Sequence, residues 1–155
     1  MSRLRQCTVL WIGAVVVADS AAIAATRAAA RAAAEKKAEA IIALDVSERI
    51  VLTDVFLVAS GASERQVRAI VDAVDEEMLK AGLRPARKEG IAEGRWALLD
   101  YGSVIVHVQH EEDREFYALE RLWSDCPRIE LDLSDVVVQD GPPDLDDYLY
   151  GGANA

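Results

Sequence analysis

Apolar residues recur at helical spacing from Val67 through Ile70, Val71, Val74, Met78 and Leu79, which predicts an amphipathic helix with one buried face. Ser63, followed three residues later by Gln66, matches a capping box at its start, and Gly82 fits its C-terminal stop. Upstream the period changes. Ile41 to Val46 reads as a buried strand, Ser47-Glu48-Arg49 as a turn, and Thr53 to Ala59 as a second strand rich in β-formers. Ala18 to Ala43 is dominated by alanine, the best helix former, so the chain is expected to enter the first strand from a helix capped by Asp19 or Ser20. Alanine buries little area, which places that helix at the periphery.

Downstream, Arg84 to Lys88 predicts a short basic edge strand, followed by Glu89-Gly90 and a polar loop to Gly94. Arg95 to Asp100 and Val104 to Val108 read as a hairpin turning at Tyr101-Gly102-Ser103. A helix carrying Arg114, Phe116, Tyr117, Leu119, Leu122 and Trp123 then extends from Glu111 to Trp123. Side chains alternate across a strand, so Trp96, Leu98 and Asp100 share one face and Ala97, Leu99 and Tyr101 the other. The fold class that follows is α/β: a single mixed β-sheet of about five strands with flanking helices. The hairpin is antiparallel, and the strands joined through the central helix are parallel.

A length of 155 residues suits one domain with a real core. The net charge of −10 argues against direct attraction to nucleic-acid phosphates, although an acidic protein can still dock on a basic protein of a nucleoprotein. Much of that charge lies after Ser124, where eight acidic residues face the single base Arg128. Residues 127–155 are therefore expected to form an acidic, flexible tail in which only Val136-Val137-Val138 docks. The domain itself is expected to span 18–126. The two cysteines, Cys7 and Cys126, are far apart and outside any ligand-like spacing, which fits free thiols in a reducing compartment. Met1 to Val17 resembles a short secretory signal, with Arg3 and Arg5 ahead of an apolar run too short to span a bilayer. The rest of the chain reads as cytoplasmic, so residues 1–17 are better read as an extension or a misplaced start near Val16 or Val17.

Candidate chemistry is sparse. Ser60-Gly61-Ala62-Ser63 at a helix start has the makeup to bind phosphate, but its spacing matches no phosphate-binding fingerprint, and capping is favoured. His107 and His110 fall on opposite strand faces without further ligands nearby, so no metal is expected; His107 is read as a partly buried polar group, hydrogen-bonded to a carboxylate. Asp54, Glu89, Glu93 and Asp100 are the carboxylates available for metal-assisted transfer, but no pair with the required spacing lies on a core strand, and solvated charges or turn caps are the favoured reading. The residues leave Trp96 open to core or surface, and place Trp123 between helix and sheet. A segment rich in aromatic and charged groups, yet without a catalytic set, points to a surface that binds another macromolecule rather than to an enzyme.

Several stretches taken together resemble the ribosomal silencing factor family, also called Iojap-like proteins. They are Ile42 to Val46, Thr53 to Phe56, Ala59 to Val67, Glu89-Gly90, Trp96 to Asp100 with Val104 to Val108, and Arg114 to Trp123. The resemblance covers roughly residues 20 to 124. It implies a fold related to nucleotidyltransferases without their active site, no enzymatic activity and no cofactor. It further implies binding to ribosomal protein L-fourteen of the large subunit, which blocks subunit joining and represses translation when nutrients are short. A homodimer is also implied. Carried onto this chain, the contact surface is Trp96, Leu98, Asp100 and Tyr101, with Glu89 and Arg95 at its rim. The alternatives are a large-subunit assembly factor and a nucleotidyltransferase-like enzyme. Neither a membrane nor direct nucleic-acid reading is expected.

Overall fold

The computed structural model describes residues 18–137. The expected extension and most of the acidic tail, including Val138 and the acids from Asp140 onward, lie outside the described residues. Five strands form one open sheet in the order β1-β2-β5-β4-β3. They are β1 (Glu39–Asp45), β2 (Val55–Gly61), β3 (Arg87–Glu89), β4 (Trp96–Asp100) and β5 (Val104–His110). Only the central β2–β5 pair is parallel; β1–β2, β5–β4 and β4–β3 are antiparallel. All seven residues of β2 are buried, as suits the middle of a sheet covered on both faces.

One face is covered by α1 (Ser20–Glu35) and α2 (Glu64–Lys80). These helices enclose Val55, Leu57, Ala59, Val104, Val106, Val108, Ala97 and Leu99 in the main core. The α2 stripe is the one expected: Val67, Ile70, Val71, Val74 and Met78 are all buried. Its start is fixed by Ser63, whose side chain accepts from the Gln66 N–H at 3.1 Å. Gln66 reaches back to accept from the Ala62 N–H at 2.7 Å, and its amide also donates to the Lys36 and Lys37 carbonyls at the end of α1. The capping glutamine thus joins two helices.

The alanine helix differs from expectation twice. It is not peripheral, because Ala29, Ala30 and Ala33 are fully buried. Small side chains let α1 lie close to α2 and the sheet, so each alanine is buried by proximity rather than by its own size. The helix also stops at Glu35 rather than running into the strand. Lys37 adopts φ +63°, the Ala38 N–H bonds the Ala33 carbonyl at 3.1 Å, and the Lys37 N–H bonds the Ala34 carbonyl at 2.9 Å. This is a Schellman stop with lysine at the position glycine usually holds.

After β5 the expected single helix is two: α3 (Glu111–Tyr117) and α4 (Leu119–Leu122), separated by Ala118 at φ +45°. Pro127 to Ile129 then runs antiparallel beside β1. The Asp45 N–H donates to the Pro127 carbonyl at 2.8 Å and the Ile129 N–H to the Ala43 carbonyl at 2.9 Å. Ile129 is buried, with Leu131 and Leu133 packed against the same core. The following α5 (Ser134–Val137) contacts α1, where Asp135 pairs with Arg31. The segment expected to be a free tail from residue 127 therefore begins as a strap along the sheet edge.

Candidate docking surface

The second face of the sheet carries the side chains left over by the alternation: Ile42 and Leu44 on β1, Phe56 and Val58 on β2, Ile105 and His107 on β5, and Trp96, Leu98 and Asp100 on β4. The β1 end of this face is closed by a small cluster in which Leu44, Val46, Phe56 and Cys126 pack with Trp123 and Ile50. Burial raises the Cys126 thiol above its ordinary value. Trp123 therefore packs between helix and sheet, as expected. The β4 end lacks such a cover and leaves Trp96 and Leu98 half-buried.

A continuous chain of rings crosses this face. Tyr117 lies 4.9 Å from Trp96, centroid to centroid, Trp96 lies 6.1 Å from His107, and the Phe56 ring lies 5.3 Å from His107 and 5.4 Å from Trp123. The last two contacts are edge-to-face, a geometry favoured by ring quadrupoles. Within the chain the Trp96 indole N–H donates to His107 Nδ1 at 3.1 Å. His107 is thus polar and buried as expected, but its partner is an indole rather than a carboxylate. Burial depresses its pKa to about 4, so it is neutral at physiological pH.

The residues singled out from the sequence separate here. Trp96, Leu98 and Asp100 do share the outer face. Asp100 is largely covered: its Oδ1 accepts from the Gly102 N–H at 2.9 Å and its Oδ2 lies 3.7 Å from Arg87. Glu89 stands exposed on the edge strand, opposite Leu98 and 3.9 Å from Arg87. Arg95 reaches the α3 acids instead of the edge, bonding Asp113 at 2.8 Å and Glu112 at 3.1 Å. Tyr101 lies on the opposite face, 7% exposed, with its hydroxyl on Asp75. The aromatic residues that stand farthest into solvent beside Trp96 are Phe116 and Tyr117, 80% and 53% exposed, and they were not singled out. Their place in an aromatic-rich helix was the available signal.

The sheet face carries no arrangement for bond chemistry. His110 caps α3 by accepting from the Glu112 N–H at 3.2 Å. Asp54 accepts from the Asp19 N–H at 3.3 Å, while Asp100 faces its own turn, so these carboxylates do not converge. Among the described residues no cluster of His, Cys, Asp or Glu has the makeup to hold a metal ion. Nor is any described helix long and apolar enough to cross a membrane.

The model of a family described as "Ribosomal silencing factor during starvation" matches residues 19–145. The chain belongs to the ribosomal silencing factor family. It is similar to the ribosomal silencing factor of Halalkalibacterium halodurans, 41% identical over 98 residues that span 63% of this chain and 84% of that protein. A crystal structure of a protein from Chromobacterium violaceum is similar with a TM-score of 0.64 and 33% identity, covering 70% of this chain and 90% of that one. A Mus musculus protein named "Mitochondrial assembly of ribosomal large subunit protein 1" is 33% identical over 93 residues, 58% of this chain and 41% of that protein. The silencing factor family is regulatory rather than enzymatic, and its role lies in ribosome-related control of translation. The nucleotidyltransferase-like enzyme is thereby set aside.

Proposed function

We propose that this silencing factor docks through the outer face of β4 on ribosomal protein L-fourteen of the large subunit and there excludes the small subunit, lowering translation under nutrient limitation. The observation that carries the reading is the row Trp96, Leu98 and Asp100, with Glu89 opposite Leu98, on the uncovered end of the sheet. An indole beside an aliphatic chain, bordered by carboxylates, has the composition of an interface anchor with a charged rim. Ribosomal proteins are generally basic, so the exposed Glu89 gives charge complementarity that favours docking and orientation, while Asp100 at the end of the row is already engaged by Arg87 and the Gly102 N–H. Occupying the joining face is enough; no rearrangement of the ribosome is required.

Co-sedimentation with purified large and small subunits tests the proposal. The protein should pellet with large subunits alone and should inhibit their joining to small subunits. Truncating a central anchor commonly costs about 2 kcal/mol or more, so Trp96→Ala should weaken binding by about tenfold or more. Wild-type affinity in a folded Trp96→Ala protein would remove the anchor. The name of the Mus musculus relative favours a second reading, a large-subunit assembly factor using the same surface. An assembly factor alters the profile of subunit precursors without inhibiting the joining of mature subunits.

A further inference from the structure

We propose that His107 is a positioning residue for docking: by accepting the Trp96 indole N–H on Nδ1 it holds that ring in the orientation the partner engages. The inference rests on the docking reading above and adds the device that prepares the anchor. An indole N–H that is partly buried needs an acceptor. Here the acceptor comes from the neighbouring strand, two residues along from direct register and so on the same face, because Leu98 is the residue opposite His107 and Trp96 is opposite Gln109. Accepting on Nδ1 requires a free lone pair there, so the ring proton sits on Nε2. The imidazole is itself gripped, because Phe56 meets it edge-on at an interplanar angle of 83°. Tyr117 packs against the Trp96 ring as well, with centroids 4.9 Å apart. A tryptophan held between a hydrogen bond and a second ring has little rotamer freedom left to lose on binding, which is how preorganisation raises affinity. Aliphatic packing in place of His107 would fill the space but leave the indole N–H without a partner.

The test uses the full-length protein, purified large subunits and nitrogen-15 labelling of the tryptophan indoles. The Trp96 indole resonance is assigned by its absence in Trp96→Phe. His107→Phe keeps a ring and removes the acceptor. It should move the indole signal toward the position of an unbonded indole and raise Kd about fivefold, the cost of ordering one side chain on binding. His107→Asn keeps an acceptor near the Nδ1 position. It should retain the shifted indole signal and bind within about twofold of wild type, a rescue that lost packing alone would not give. Weak binding by Trp96→Ala together with wild-type binding by His107→Phe overturns the positioning role and leaves the docking reading intact. Wild-type binding by both overturns the docking reading and the positioning role with it. If His107→Phe does not fold, His107→Asn decides: wild-type affinity after loss of the shifted indole signal overturns the proposal.

Discussion

The Tyr101 hydroxyl donates to Asp75 Oδ1 at 2.8 Å, joining the end of β4 to the middle of α2. Lys88 of the edge strand pairs with the other oxygen of the same carboxylate. Burial works against a charged Asp75, but the hydrogen bonds from Lys88 and Tyr101 outweigh it and hold the carboxyl below its ordinary range. Burial, and then the Asp75 carboxylate, push the phenol of Tyr101 upward. Tyr101 is therefore a strut between sheet and helix. Tyr101→Phe should lower stability in urea by about 2 kcal/mol, as for a hydrogen bond to a charged group, while affinity for large subunits stays unchanged. A loss of affinity without a loss of stability would return Tyr101 to the contact surface.

Glu89-Gly90 belongs to the stretches that carry the family resemblance, and the structure gives Gly90 a steric reason. It adopts φ +72°, and a Cβ there would sit 2.0 Å from the Trp96 carbonyl oxygen. Backbone packs on backbone, so neither neighbour can rotate away. Gly102 in the hairpin turn has φ +83°, but a Cβ there meets nothing within 4 Å. Gly102→Ala should therefore cost only the left-handed penalty, about 1 kcal/mol. Gly90→Ala should cost at least twice that, about 2 kcal/mol or more, by adding a clash at the first residue of β4. Paired urea denaturation curves check the ratio, and equal losses would mean that β3 and β4 are not so closely apposed.

His107 makes stability depend on acidity in a defined window. Its folded pKa is depressed to about 4 by burial, against an ordinary value of 6.5. Between those values the unfolded chain binds a proton that the folded chain excludes, so stability rises with pH across the window. The contribution is complete above about pH 6.5 and is lost as pH falls toward 4, amounting to about 3 kcal/mol. Carboxylates titrate in the lower part of the same range. The informative quantity is accordingly the difference between wild type and His107→Phe in urea midpoints from pH 4 to pH 7. That difference should shift in favour of the variant as pH falls. A constant difference would mean that His107 is open to solvent.

How much of this was legible depended on whether local signals and composition agreed. In α2 the spacing of Val67, Ile70, Val71, Val74 and Met78 and the cap at Ser63 all pointed the same way, and the helix formed as read. Strand alternation assigned both faces of β4, and by the same rule it put Tyr101 beside Leu99 rather than Trp96; the family resemblance moved it to the surface, and the coordinates follow the alternation. The stop of α1 at Lys37 was hidden because a left-handed lysine leaves no glycine to read. The break at Ala118 was hidden for the same reason, since a left-handed alanine also leaves no glycine to read. The strap carries a local signal that its acidic composition masks. Ile129, Leu131 and Leu133 alternate with Arg128, Glu130 and Asp132, a half-buried strand pattern set inside an acidic segment.

That strap gives the last prediction. Ile129 is 5% exposed and belongs to the main core, so Ile129→Ala should cost about 2–4 kcal/mol. A free tail residue would cost nothing measurable. The hydrogen bond between the Asp45 N–H and the Pro127 carbonyl offers a local readout, because that amide faces outward from the edge of β1 and the strap supplies its backbone partner. In wild type it should exchange slowly with deuterium, and in Ile129→Ala markedly faster. Amides in the centre of β2 should accelerate only to the extent that global stability falls. Docking on large subunits should be unaffected while the variant remains folded, because the strap borders β1, at the opposite end of the sheet from Trp96. Rapid exchange of Asp45 in the wild-type protein would show that residues 127–129 do not pair with the edge in solution.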